Sequence, residues 1–168
     1  MRVQTLDLYD YHRWANQHVF DHLKAFSTDV YRKEIQSVFP SIAEVFAHMY
    51  LVDNIWFSVM KGDSNEELTE IISRTQKEVE GKSLEQMESM FQQVYEQCQD
   101  FLKSQDDLDK IIICEHPQFG RLETPLSQLV QHVVNHGTYH RGNITAMLRQ
   151  MGHEGVPTDY VFYLYTLS

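Results

Sequence analysis

The chain has 168 residues, 42% hydrophobic and 23% charged, which suits one domain spanning 1–168 with a core large enough to need no disulfide staples. Its 24 acidic and 14 basic residues leave a formal net charge of −10, and the basic ones form no stripe; this argues against a nucleic-acid partner and favours a small-molecule ligand. No run of about 18 uninterrupted apolar residues is present and the N-terminus lacks an apolar signal core, so no membrane partner is expected and the expected location is cytoplasmic.

A first helix is predicted over about residues 5–26, where Leu8, Tyr11, His12, Ala15, Val19, Leu23 and Phe26 recur at helical intervals. His12 and His22 fall on or beside that face, each as a packed histidine, an outer partner of a site or a ligand. Residues 27–40, with the polar run STD and a proline, read as a connection with a short extended piece. Ser41 and Glu44 then form a capping pattern ahead of a second helix, and Gly62 follows its end. Its stripe is Ile42, Val45, Phe46, Met49, Val52, Trp56 and Met60. His48 lies about 80° from the stripe's centre, beside Val52 and Ile55.

Residues 65–82, including NEELTE and RTQKEVEGK, read as a solvated loop with a short helical piece. Ser83 and Gln86 offer another capping pattern before a third long helix over about 84–103. Its inward positions are Met87, Met90, Phe91, Val94, Cys98, Phe101 and Leu102. The run DKIIICEHPQFGRLETP suggests a small hairpin or an ordered loop, with His116, the residue before Pro117, extended and at the surface. Cys98 and Cys114 lack metal-ligand spacing and are expected to be reduced thiols.

The last long helix is predicted over 124–152, with Thr124 as its cap, Pro125 at its first position and Gly152 in the closing left-handed turn. Leu126, Leu129, Val130, Val133, Ile144, Met147, Leu148 and Met151 form its stripe. His140 lies about 30° from the stripe's centre, His136 about 70° off and His132 about 110° off. Histidines at i and i+4 project from one face closely enough to share an ion. His48, the only histidine between His22 and His116, is the leading candidate for a third ligand, with plain packing as its alternative. Beyond Gly152, the tail with its run VFYLY is expected to close the fold as a short helix or an extended segment.

Four long amphipathic helices with one long crossover describe an all-α helix bundle, a scaffold that builds metal sites from side chains on facing helices. YHRWANQHVFDHL in the first helix, the lone histidine in AEVFAHMYLVDNIW and HVVNHGTYHRGNI near the end together resemble the DinB family. Its relatives include the bacillithiol transferase-like, YfiT-type proteins. The resemblance covers nearly the whole chain and is most specific in HVVNHGTYHRGNI. The family often has glutamine after HRG; here Asn143 stands there.

The resemblance implies a four-helix bundle, often dimeric, with a three-histidine site for a divalent metal, zinc or nickel. By position the ligands are His48, His136 and His140, with His132 in the surrounding pocket and Tyr139 and Arg141 flanking it. Three neutral imidazoles leave an ion's double charge uncompensated and at least one coordination position open. Hydrolysis and thiol transfer are then both within reach. No H-E-x-x-H delivers a glutamate base, so His132, His12 and Asp159 stand as candidate proton carriers. Two functions follow: a metal-dependent enzyme, by preference a thiol S-transferase joining a low-molecular-weight thiol to a small electrophile, or a non-catalytic metal-binding stress-response module.

Overall fold

The computed structural model describes residues 2–116 and 118–168, with side chains from Gln4 onward; Pro117 of the expected Pro/Gly turn lies outside the described residues. The chain is mostly helical: α1 (Arg2–Leu23), α2 (Thr28–Arg32), α3 (Ile42–Lys61), α4 (Asn65–Glu78), α5 (Leu84–Ser104), α6 (Leu126–Gln150) and α7 (Tyr160–Tyr165). Between α5 and α6, β1 (Ile111–His116) and β2 (Gly120–Pro125) form a hairpin, antiparallel and in register from Ile111↔Pro125 to His116↔Gly120. Among the described residues no helix is long and apolar enough to cross a membrane.

The long helices pack so that α1 and α3 each lie against both α5 and α6. Their apolar stripes meet in one core, where Phe20 of α1 stacks on Phe46 of α3 at 4.3 Å and Phe91 of α5 meets both rings edge-on. Local chemistry sets the ends. Ser41 accepts from the Glu44 N–H, and Gly62, at φ 82°, takes the left-handed conformation that stops α3. Ser83 and Gln86 complete a reciprocal capping box on α5.

Three segments depart from expectation. Residues 65–78 are a regular helix of 14 residues, longer than the short helical piece expected within a solvated loop, and it is started by a capping box between Ser64 and Glu67. Its inner side carries only Leu68, Ile71, Ile72, Thr75 and Val79, so its apolar period is hidden among charges. The connection over 27–40 contains the helical turn α2 rather than an extended piece, and it buries Val30 and Tyr31.

The last long helix begins at Leu126, not at Thr124. Thr124 and Pro125 finish β2, since a residue before proline is held extended. Backbone carbonyls before the hairpin take the first amides of α6: Leu126 N–H donates to Lys110 O at 3.0 Å and Ser127 N–H to Leu108 O at 2.7 Å. The hairpin therefore sets where α6 starts and so the rotation of its histidines. The tail closes as α7, whose Tyr163 is buried against Trp14 and Tyr11 of α1.

Candidate metal centre

α3 supplies His48 and α6 supplies His136 and His140. His48 meets the pair while Trp56, two turns on, meets His132 at 4.6 Å, so the two helices run in opposite directions. The three Nε2 atoms converge: His48 lies 3.1 Å and His140 3.0 Å from Nε2 of His136. Donor nitrogens held about 2.0–2.1 Å from one ion lie about 2.9 Å apart at octahedral angles and about 3.3 Å apart at tetrahedral ones. Among the described residues this is the only group of three histidine, cysteine or acidic side chains so placed, its ligand atoms all within 4.8 Å of one another, and no fourth side chain joins it.

Without a shared ion the arrangement is poorly satisfied. A neutral imidazole has one N–H and one lone pair, and one nitrogen of His136 faces two others. Protonation does not relieve the crowding. Burial, and then the neighbouring rings of His140 and His48, lower His136 to about 3. Burial and His48 bring His140 down to about 4, against the upward pull of Asp53. Burial also lowers His48, again opposed by Asp53. All three rings are thus neutral near pH 7, the form that offers a lone pair to a cation.

The surroundings hold the rings in place. Phe39 lies 5.2 Å from His48 and 5.5 Å from His140, and Tyr139 meets His140 edge-on at 5.0 Å from an exposed position. The side-chain amide of Asn143 sits 3.2 Å from His140 Nδ1. As placed, the amide nitrogen Nδ2 faces the ring; turned over, the amide would accept the Nδ1–H through its oxygen and leave Nε2 free as a ligand, the role a glutamine at this place would share. A cleft of about 360 Å³ opens beside His48, walled by Phe39, Ala47 and Leu51 and bordered by Arg32, Lys82 and Glu44.

The other expected residues are distributed differently. His132 is exposed at the rim, its ring 6.3 Å from that of His136. His12 is fully buried, with Nε2 3.1 Å from Asp53 Oδ2, which makes it an interior partner instead of a proton carrier open to solvent. Asp159 precedes α7 and borders a depression with Tyr11, Thr138 and Tyr160, in which none of the three clustered histidines takes part. Arg141 does not flank the centre. It is 2% exposed and turns away, donating to Asn16 Oδ1 and Thr138 Oγ1 at 2.8 Å and to Tyr11 OH at 3.3 Å.

His22 meets the Glu154 carbonyl at 2.7 Å, and exposed His116 accepts from the Gln118 and Phe119 amides through Nδ1. Cys98 and Cys114 are free thiols, and burial pushes Cys98 up to about 12. Asp53 is absent from the apolar stripe of α3, yet it sits four residues after Met49, on the line Ile42, Phe46, Met49, Asp53, Met60 that faces the core. A carboxylate at a core position of an apolar helix is the signal that marks it.

Comparison with known proteins bears on the family and the fold. The family model described as DinB family matches residues 1–167. Protein DinB of Bacillus subtilis (strain 168) is 44% identical over 158 residues, covering 94% of this chain and 92% of that protein. A crystal structure of a DinB-like protein from Bacillus cereus ATCC 10987 superposes with a TM-score of 0.64 over 91% of this chain and 94% of that one; at 18% identity this is a likeness of fold. A family match over nearly the full length, joined by a close relative of the same name, means that the chain belongs to the DinB family.

Proposed function

We propose that His48, His136 and His140 hold one divalent metal ion, zinc or nickel, and that the protein is a metal-dependent enzyme acting on a small molecule. The observation that carries this reading is the convergence of three neutral Nε2 donors with, among the described residues, no fourth histidine, cysteine or acidic ligand beside them. A closed structural site completes its coordination with protein groups, commonly cysteine, whereas three ligands leave a position for a guest. Bound there, such an ion acts as a Lewis acid that lowers the pKa of water or of a thiol.

The chain's own residues supply the rest. Phe39 and Tyr139 shield the rings, and the cleft at His48 has room for a compact substrate with Arg32, Lys82 and Glu44 at its border. His132, exposed beside His136, is placed to exchange a proton with solvent. Thiol S-transfer with a low-molecular-weight thiol is the preferred reaction, with hydrolysis the nearest alternative. The same reading takes the four long helices as one four-helix-bundle domain of YfiT-like type, cytoplasmic and homodimeric. The exposed apolar side chains of α7, Val161, Phe162 and Leu164, offer a face for the second copy.

The test is turnover of a reporter electrophile with low-molecular-weight thiols by metal-loaded protein, metal-stripped protein and His48→Ala. Activity in the loaded wild type alone is expected. Equal rates in all three overturn the enzyme reading and leave a metal-binding module without turnover.

A further inference from the structure

Beside the three imidazoles lies a buried polar pair to which the reading above gives no task. Asp53 of α3 is 4% exposed and His12 of α1 is fully buried, and they meet through Oδ2 and Nε2 at 3.1 Å. A carboxylate in the interior is costly unless both of its oxygens are engaged. Yet Asp53 Oδ1 has no hydrogen-bond partner, and neither has Nδ1 of His136.

These two atoms are chemically complementary. Once His136 uses the Nε2 lone pair as a ligand, its proton must sit on Nδ1, which becomes a buried donor in need of an acceptor. Asp53 Oδ1 is an acceptor in need of a donor. Both belong to one place in the fold. The His12 ring that holds Asp53 also presses on Gly137, the residue after His136, so closely that a Cβ there would lie 2.3 Å from His12 Cε1 and 2.6 Å from its Nδ1. The α1 ring, the α3 carboxylate and the α6 backbone beside the central ligand therefore meet.

The balance of charge points the same way. Three neutral imidazoles bring no negative charge to a divalent ion, and Asp53 is a buried carboxylate about one and a half turns after His48 on the same helix. Arg141, a second buried charge, donates from its two terminal nitrogens to the neutral acceptors of Asn16, Tyr11 and Thr138; its Nε has no partner, and it makes no hydrogen bond to the free oxygen of Asp53.

We propose that Asp53, held by His12, is the positioning residue of the metal centre: its Oδ1 takes the Nδ1–H of His136, fixing the tautomer that presents Nε2 and placing one negative charge behind the ion. This rests on the metal-binding reading.

The experiment titrates Co²⁺ into metal-free wild type, Asp53→Asn and His48→Ala in competition with a chelator, following the visible d–d bands. Asp53→Asn is isosteric and keeps an acceptor but loses the charge. It is expected to bind Co²⁺ about 10–100-fold more weakly than wild type, with shifted bands, while His48→Ala loses the bands. Affinity within about twofold of wild type and unchanged bands in Asp53→Asn overturn the proposal while leaving the metal site standing. Wild-type binding that does not depend on His48 overturns both.

Should Asp53→Asn fail to fold, Zn²⁺-loaded wild type labelled with ¹⁵N-histidine decides the matter. The His136 Nδ1–H resonance is expected downfield and slower to exchange with solvent than that of His48. Exchange at the same rate overturns the proposal.

Discussion

Burial, more than mutual repulsion, keeps the central histidines neutral, and this has a sign that can be measured. His136 is lowered to about 3 and His140 to about 4, whereas an unfolded chain protonates both near about 6.5. Between those values the unfolded state binds protons that the folded state refuses, so stability rises with pH there. The metal-free protein is therefore expected to be most stable above about pH 6.5 and to weaken steadily toward pH 4 in urea unfolding. His136→Gln should flatten that slope. An equally steep slope in the variant would place its origin elsewhere.

Gly137 has no room for a side chain. Alanine in a helix interior is ordinarily favoured over glycine by up to about 1 kcal/mol. Here the added carbon would meet the His12 ring and Arg141 Nη1 at 2.9 Å or less, and neither side chain is free to leave. Gly137→Ala is expected to destabilise by about 1–3 kcal/mol in chemical denaturation, and by clearly less in a His12→Ala background. Single residues were unevenly legible. The spacing of His136 and His140 pointed at one ion because i and i+4 share a face of any helix. Arg141, next to a ligand in sequence, faces about 100° away from it and joins a different network.

Elements announced themselves where side-chain chemistry at their ends was local. Ser83 and Gln86 bond each other's backbone, as the S-x-x-Q pattern implies, and Ser83→Ala is expected to cost about 0.5–2 kcal/mol, read from a urea midpoint. No change would mean that packing alone sets the start of α5. The helix over 65–78 carries the same signature at Ser64 and Glu67, but its mostly exposed surface concealed the apolar period beneath charges. The beginning of α6 is ambiguous in the sequence for a different reason. Thr-Pro is as suitable for ending a strand as for opening a helix, and only the pairing of Thr124 with Ile112 across the hairpin decides between them.

For the molecule as a whole, four long amphipathic stripes were enough to expect a mostly helical protein with a hairpin before its last long helix. What the stripes could not convey is which helices adjoin. That depends on complementary side chains far apart in sequence, such as Phe20 on Phe46 and the His12–Asp53 pair. The convergence of His48 on His136 and His140 spans 88 residues and ties α3 to α6 at the centre. A cation bound there should stabilise the native state: at free zinc 100 times its dissociation constant, by about 2.7 kcal/mol, seen as a raised Tm that a chelator reverses.

The most direct check is the metal content of freshly purified protein, measured per chain for wild type and His48→Ala. The arrangement of Nε2 donors predicts about one divalent ion per wild-type chain and its loss in the variant. Equal metal in the two proteins, or none in wild type even after incubation with zinc and nickel, would contradict it.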